Sequence, residues 1–217
     1  MKTARFLLAK ARLVARQGFT LVELLIVIAL IGVLAVAVLA AINPLEQLNR
    51  ARDTGMESDA SQLLAAIDRY YASHEEFPWV TVDREAGGNT IINDSAIGFI
   101  NTQVESIGIC GADCAANDGV LLTNLELKSE FRNRKFVTTI AETEMLYIGK
   151  ESGASSSVYA CWIPTSMAKR DKATKTLAIT EDIADPADFD DTLCDPKDED
   201  NITWLTTDAS CFYCIPQ

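Results

Sequence analysis

The chain has 217 residues, 48% of them hydrophobic and 23% charged, with 31 acidic side chains against 19 basic ones and a formal net charge of −12. An acid excess of this size works against nucleic-acid binding through phosphate neutralisation and suits a solvated surface or cation binding. His74 is the single histidine, and no glycine-rich phosphate loop, HExxH pattern or serine–histidine arrangement is present, so no enzyme is expected.

Residues 1–18 contain Lys2, Arg5, Lys10, Arg12 and Arg16 and no acid. Without them 14 bases face 31 acids, a net charge of −17. By the positive-inside rule this basic segment stays cytoplasmic and the chain after Ile42 is exported. From Leu21 to Ile42 the sequence is apolar, and Glu23 is its one charged residue. As a helix rising ~1.5 Å per residue, that run covers about 33 Å, enough to cross a bilayer core. A carboxylate near a membrane helix costs on the order of a few kcal/mol unless it finds a partner, so Glu23 calls for an explanation.

The stretch Gln17-Gly18-Phe19-Thr20-Leu21-Val22-Glu23 resembles the processing signature of type IV prepilins and type II secretion pseudopilins. The resemblance implies cleavage between Gly18 and Phe19 by a prepilin peptidase and N-methylation of Phe19. It places the family's acid on Glu23 and a helical glycine of the same pattern on Gly32. In a filament, Glu23 would pair with the Phe19 ammonium of a neighbouring subunit, which offsets its burial and sets register. Two plainer readings compete. One is an ordinary signal peptide cut near Ala35-Val36-Ala37 or Leu39-Ala40-Ala41; the other is a simple signal anchor. Neither uses Glu23 or the Gly-Phe junction.

The resemblance divides the chain into a cleaved cytoplasmic leader (1–18), the transmembrane half of a long helix (19–42), its amphipathic half (43–75) and an exported head (76–217). Its fold class is α+β, a long N-terminal spine helix packed on a small antiparallel sheet and stapled by disulfides. Asn43-Pro44 reads as a flaw or a restart, with Asn43 as cap and Pro44 at the first helical position. The family's usual proline, counted from the cut, would stand at Ala40. Pro44 is therefore a candidate weak point for assembly, or a static kink. Leu45 to Tyr71 has helical apolar spacing, interrupted at Asp53-Thr54-Gly55, where Thr54 and Glu57 suggest a second capping box. His74 to Trp79 ends the helix. Residues 80–118 read as a variable connecting loop with short elements, closed by a Cys110 to Cys114 turn, Leu121 to Arg134 as a short helix, and Met145 to Lys150 and Ser157 to Pro164 as strands. Lys175 to Thr180 and Ile202 to Thr206 are weaker strand candidates.

Six cysteines, Cys110, Cys114, Cys161, Cys194, Cys211 and Cys214, all lie on the exported side, where disulfides are favoured. Cys110 and Cys114 can close a small loop, and Cys161 can pair with any of Cys194, Cys211 or Cys214. Pilin heads often close their C-terminal loop in this way. The rival is a zinc site from Cys110, Cys114, Cys211 and Cys214. Residues 181–200 hold 10 acids and one base. Asp188, Asp190, Asp191, Asp198 and Asp200 are candidate calcium ligands, a use of the C-terminal loop that major pseudopilins resemble. Asn93-Asp94-Ser95 and Asn201-Ile202-Thr203 are weak glycosylation sequons.

The resemblance implies a structural subunit of a pilus or pseudopilus, held in the bacterial cytoplasmic membrane by a single pass and then drawn into a surface filament. Its implied partners are copies of itself and other pilin-like subunits, the prepilin peptidase, an assembly platform and a cytoplasmic ATPase. The different-class alternative is a membrane-anchored extracytoplasmic binding domain that does not polymerise.

Overall fold

The computed structural model describes residues 18–41, 43–80, 82–83, 90–91, 96–103, 107–110, 117–139, 141–151, 156–177, 179, 194–197 and 202–216. The chain divides into two units, Met1–Asn43 and Pro44–Gln217.

In the first unit, Leu21–Ala41 forms helix α1. The chain is helical again from Pro44, the first residue of α2 (Pro44–His74), and Asn43 lies outside both helices. This is the restart expected of Asn43-Pro44, because proline lacks a donor and suits the first helical turn.

The second unit is built on α2 and a sheet. Ala60, Leu63, Ala66 and Ile67 recur at helical spacing and are fully buried. Contrary to expectation, α2 runs through Asp53-Thr54-Gly55 without interruption. The Thr54 hydroxyl donates to the Arg50 carbonyl one turn back (2.8 Å), a bond that leaves the helical ladder intact. Asp53 turns into the head instead of capping its own backbone. The helix stops at His74, with Glu75 in the left-handed region (φ 59°) and its N–H donating to the Tyr71 carbonyl at 2.7 Å. Beyond it Tyr71 stacks on Phe77 (4.5 Å between centroids) and Phe77 on Trp79 (4.9 Å), closing the helix end with apolar rings.

A short hairpin, β1 (Val82–Asp83) with β2 (Thr90–Ile91), stands apart from the main sheet. That sheet has the order β3-β4-β5-β6, antiparallel throughout, from β3 (Ile97–Asn101), β4 (Tyr147–Lys150), β5 (Val158–Trp162) and β6 (Tyr213–Ile215). The alternating segments at 145–150 and 157–164 form the two central strands, as expected. Strand β3 lies in the stretch read as a connecting loop with short elements; four of its five residues are buried, so it lacks the polar alternation of a half-exposed strand. Among the described residues of 175–180 and 202–206 there is no strand. Lys175 and Ile179 make only isolated bridges, to Phe212 and Phe99, and 202–210 is a turn-rich loop. The helix expected over 121–134 is three short pieces: α3 (Val120–Thr123), a 3-10 turn at Ser129–Asn133, and α4 beginning at Lys135 and ending at Thr138. Asn124-Leu125 turns the chain between them, with Leu125 at φ 61°.

Side-chain parity splits the sheet's two faces. Ile148, Ala160, Trp162 and Tyr213 face the core shared with α2. Tyr147, Cys161, Phe212 and Cys214 face a second cluster with Phe99 and Ile163. Cys161 and Cys214 are paired, directly opposite each other across β5 and β6, and Cys194 pairs with Cys211. Cys110 is also disulfide-bonded, and Cys114 lies outside the described residues. Cys211 and Cys214 thus belong to different disulfides, and the zinc reading loses both as thiolate ligands.

Candidate functional site

Gly18, Phe19 and Thr20 are non-helical and immediately precede α1. A side chain at Gly18 would meet nothing within 4 Å, and Phe19 is 79% exposed, so the peptide bond expected to be cut is open to a large enzyme. Thr20 starts the helix through a reciprocal capping box with Glu23. The Thr20 N–H and hydroxyl donate to Glu23 Oε2 at 2.9 and 2.8 Å, and the Glu23 N–H donates to Thr20 Oγ1 at 3.2 Å. Glu23 therefore has a partner within its own chain, one the sequence reading passed over although Thr-x-x-Glu stands in plain view. Cleavage before Phe19 would also place the new ammonium within one helical turn of this carboxylate.

Leu21–Leu39 is long and apolar enough to cross a membrane, and none of it is buried in the protein. Every large side chain along it faces outward. Nothing lies within 4 Å of where a Gly32 side chain would stand, so no contact inside this chain requires a glycine there. An apolar helix with no protein cover fits a single-pass membrane anchor.

The head contributes a different constellation. Asp53, 3% exposed, accepts four hydrogen bonds from one loop: Thr165 N–H at 3.0 Å, Thr165 Oγ1 at 2.9 Å, Ser166 N–H at 2.7 Å and Ser166 Oγ at 2.5 Å. Ser166 is the residue before α5 (Met167–Arg170), so the carboxylate clamps the turn after β5 to the side of α2. Its sequence signal was an acid on the apolar stripe of a helix, which reads as a helix break when its distant partners are unseen.

A cleft of about 240 Å³ lies beside this clamp, lined in part by Arg52, Asp59, Arg134, Lys135, Glu144 and Trp162. Its charges are matched internally. Glu144 accepts from Arg52 at 2.6 Å and Lys135 at 3.1 Å, and Arg134 reaches Asp59 at 3.3 Å. Burial pushes the Asp59 carboxyl up, and the Arg134 charge opposes that shift. These side chains of the lining are held in neutralising ion pairs.

Among the described residues no group of three His, Cys, Asp or Glu side chains could hold a metal ion. The calcium candidates Asp188, Asp190, Asp191, Asp198 and Asp200 lie outside the described residues.

No curated protein and no solved structure matches this chain. Residues 14–39, which contain the Gly18–Phe19 junction, the Thr20–Glu23 box and most of α1, match the family model of the prokaryotic N-terminal methylation motif, the signature of type IV pilins and pseudopilins.

Proposed function

We propose that this protein is the precursor of a structural subunit of a type IV pilus or pseudopilus. A prepilin peptidase cuts between Gly18 and Phe19, Phe19 is methylated, and α1 draws the subunit from the cytoplasmic membrane into a helical filament. Such a filament serves adhesion, motility, DNA uptake or protein secretion. The observation that carries the reading is the coincidence, within residues 14–39, of the methylation motif, an open Gly18–Phe19 bond and an uncovered apolar helix. In the membrane, lipid covers that helix; in a filament, other copies of it do. Glu23 pairs with a neighbour's Phe19 ammonium, Gly32 admits close approach of another helix, and the break before Pro44 lets the two helical segments reorient. The acidic 181–200 segment supplies a calcium site in this reading.

The capping box supports the rival reading as well, because it gives Glu23 a use in a chain that never polymerises. Glu23→Gln separates the two, since glutamine retains a capping box but carries no charge. Under the filament reading, N-terminal mass analysis of the native protein finds methylated Phe19, and Glu23→Gln assembles poorly while its precursor still inserts. Normal filaments from Glu23→Gln would remove the charge-pairing role. An intact Met1 in a host with the peptidase would favour a plain anchored binding domain.

A further inference from the structure

The end of the head that carries the start of α2 has a distinct surface. Leu45, Leu48 and Met167 are 65%, 64% and 67% exposed there, on a unit whose other large apolar side chains are mostly buried. Glu46 Oε2 accepts from the Met167 N–H at 3.2 Å, which holds α5 against the first turn of α2. Next to it a concavity of about 210 Å³ is lined by Arg50, Thr54, Ser166, Ala168, Lys169 and Lys172. The lining has three cations, two hydroxyls and no carboxylate. Glu46 positions Arg50 from one side (3.0 Å) and Glu57 positions Lys169 from another (2.9 Å). Lys172 is exposed and has no acid paired with it among the described residues.

Chain length limits where this surface can be. Pro44 follows Ala41, the last residue of α1, by three positions, and three residues span at most about 11 Å. Whatever direction the head takes, the first turn of α2 stays within reach of the bilayer surface that α1 leaves. Leucine and methionine beside arginine and lysine is the composition that beds into a headgroup layer, the apolar groups entering it and the cations meeting phosphates.

We propose that this end of the head binds phosphodiester headgroups of the membrane in which the protein is anchored. Lys172, with Arg50 and Lys169, takes the phosphate, while Leu45 and Met167 enter the interfacial layer. The inference rests on α1 spanning the membrane and adds a resting position for the head before any assembly.

The test uses the full chain, reconstituted at low density into vesicles of phosphatidylglycerol and phosphatidylcholine with brominated acyl chains. Flotation first establishes that the chain is membrane-bound. Tryptophan is then placed at Met167 or at Leu45, both exposed enough to accept it, and quenching is read against the wild-type background. Leu125→Trp is the control. Leu125 is 88% exposed and adjoins Glu126, whose carboxylate meets Arg69 at 3.0 Å. Arg69 stands about 37 Å along α2 from Pro44. The expected result is quenching at positions 167 and 45 and none at 125. Adding Lys172→Gln to Met167→Trp lowers the ratio of lipid-contacting to free heads about fivefold, the effect of about 1 kcal/mol per basic residue near an anionic surface. A floating chain with no quenching at 167 and 45 overturns the proposal, as does equal quenching at 125 or indifference to Lys172→Gln. Shielding that appears only as protein density rises identifies a second copy as the occupant and also overturns it. A chain that does not float removes the anchor reading itself, and this inference with it.

Discussion

Replacing Asp53 by alanine is the sharpest test of how the head is held to its helix. The carboxylate is almost fully buried and satisfies four donors from Thr165 and Ser166, two of them backbone N–H groups. Hydrogen bonds to a charged group contribute roughly 1.5–3 kcal/mol each, and a buried donor left without an acceptor costs about 1–3 kcal/mol. The four bonds share one carboxylate, so their contributions do not add. Ser166 is fully buried and loses acceptors for both its N–H and its hydroxyl, whereas Thr165 is partly exposed and can turn to water. Asp53→Ala should therefore destabilise the head by on the order of 3–5 kcal/mol, much of the roughly 5–15 kcal/mol available to a domain. Asp53→Asn retains one acceptor oxygen and presents an N–H to donors, so its loss should be intermediate, about 2 kcal/mol. The assay is urea unfolding of the oxidised protein followed by tryptophan fluorescence, since Trp162 lies on the strand leading into the clamped turn. A Asp53→Ala midpoint within about 0.5 kcal/mol of wild type, the range of ordinary surface changes, would refute the clamp.

Three further outcomes follow from the packing. Gly149 on β4 lies under the Phe99 ring, where an added methyl would stand 2.6 Å from Cδ1, so Gly149→Ala should cost about 1–3 kcal/mol in the same unfolding assay. The Cys161–Cys214 disulfide joins residues 53 positions apart, and chain entropy gives about 4 kcal/mol for such a loop, against about 3 kcal/mol for the separation of 17 between Cys194 and Cys211. Double serine replacement of the first pair should lower the thermal midpoint more than replacement of the second. Asp59 has a raised folded-state pKa, so the folded protein holds its proton more tightly than the unfolded chain. Stability from this group is greatest below its unfolded value and falls as pH rises through the folded one. Asp59→Asn should thus flatten the stability profile above the usual aspartate range, and a steeper profile would contradict the burial cause.

The parts of this protein legible in its sequence are those encoded by near neighbours. A basic N-terminal segment, a Gly-Phe junction and an apolar run fit a membrane anchor through residue type alone, and such a run needs no tertiary contact where lipid is its solvent. Asn43-Pro44 marked the start of α2 for the same local reason. The segments 145–150 and 157–164, read as strands, hold the two central ones, β4 and β5. What escaped depends on partners distant in the chain. Strand β3 is buried on both faces, so its apolar run carries no strand period, and β6 exists because Tyr213–Ile215 finds Ala160–Trp162. The pairing of Cys161 with Cys214 was one of three open choices until β5 and β6 set the two residues opposite each other. Asp53 looked like a helix break because its own neighbours offer it nothing. Only the fold, by bringing Thr165 and Ser166 to it across more than a hundred residues, makes that carboxylate the point where helix and head are joined.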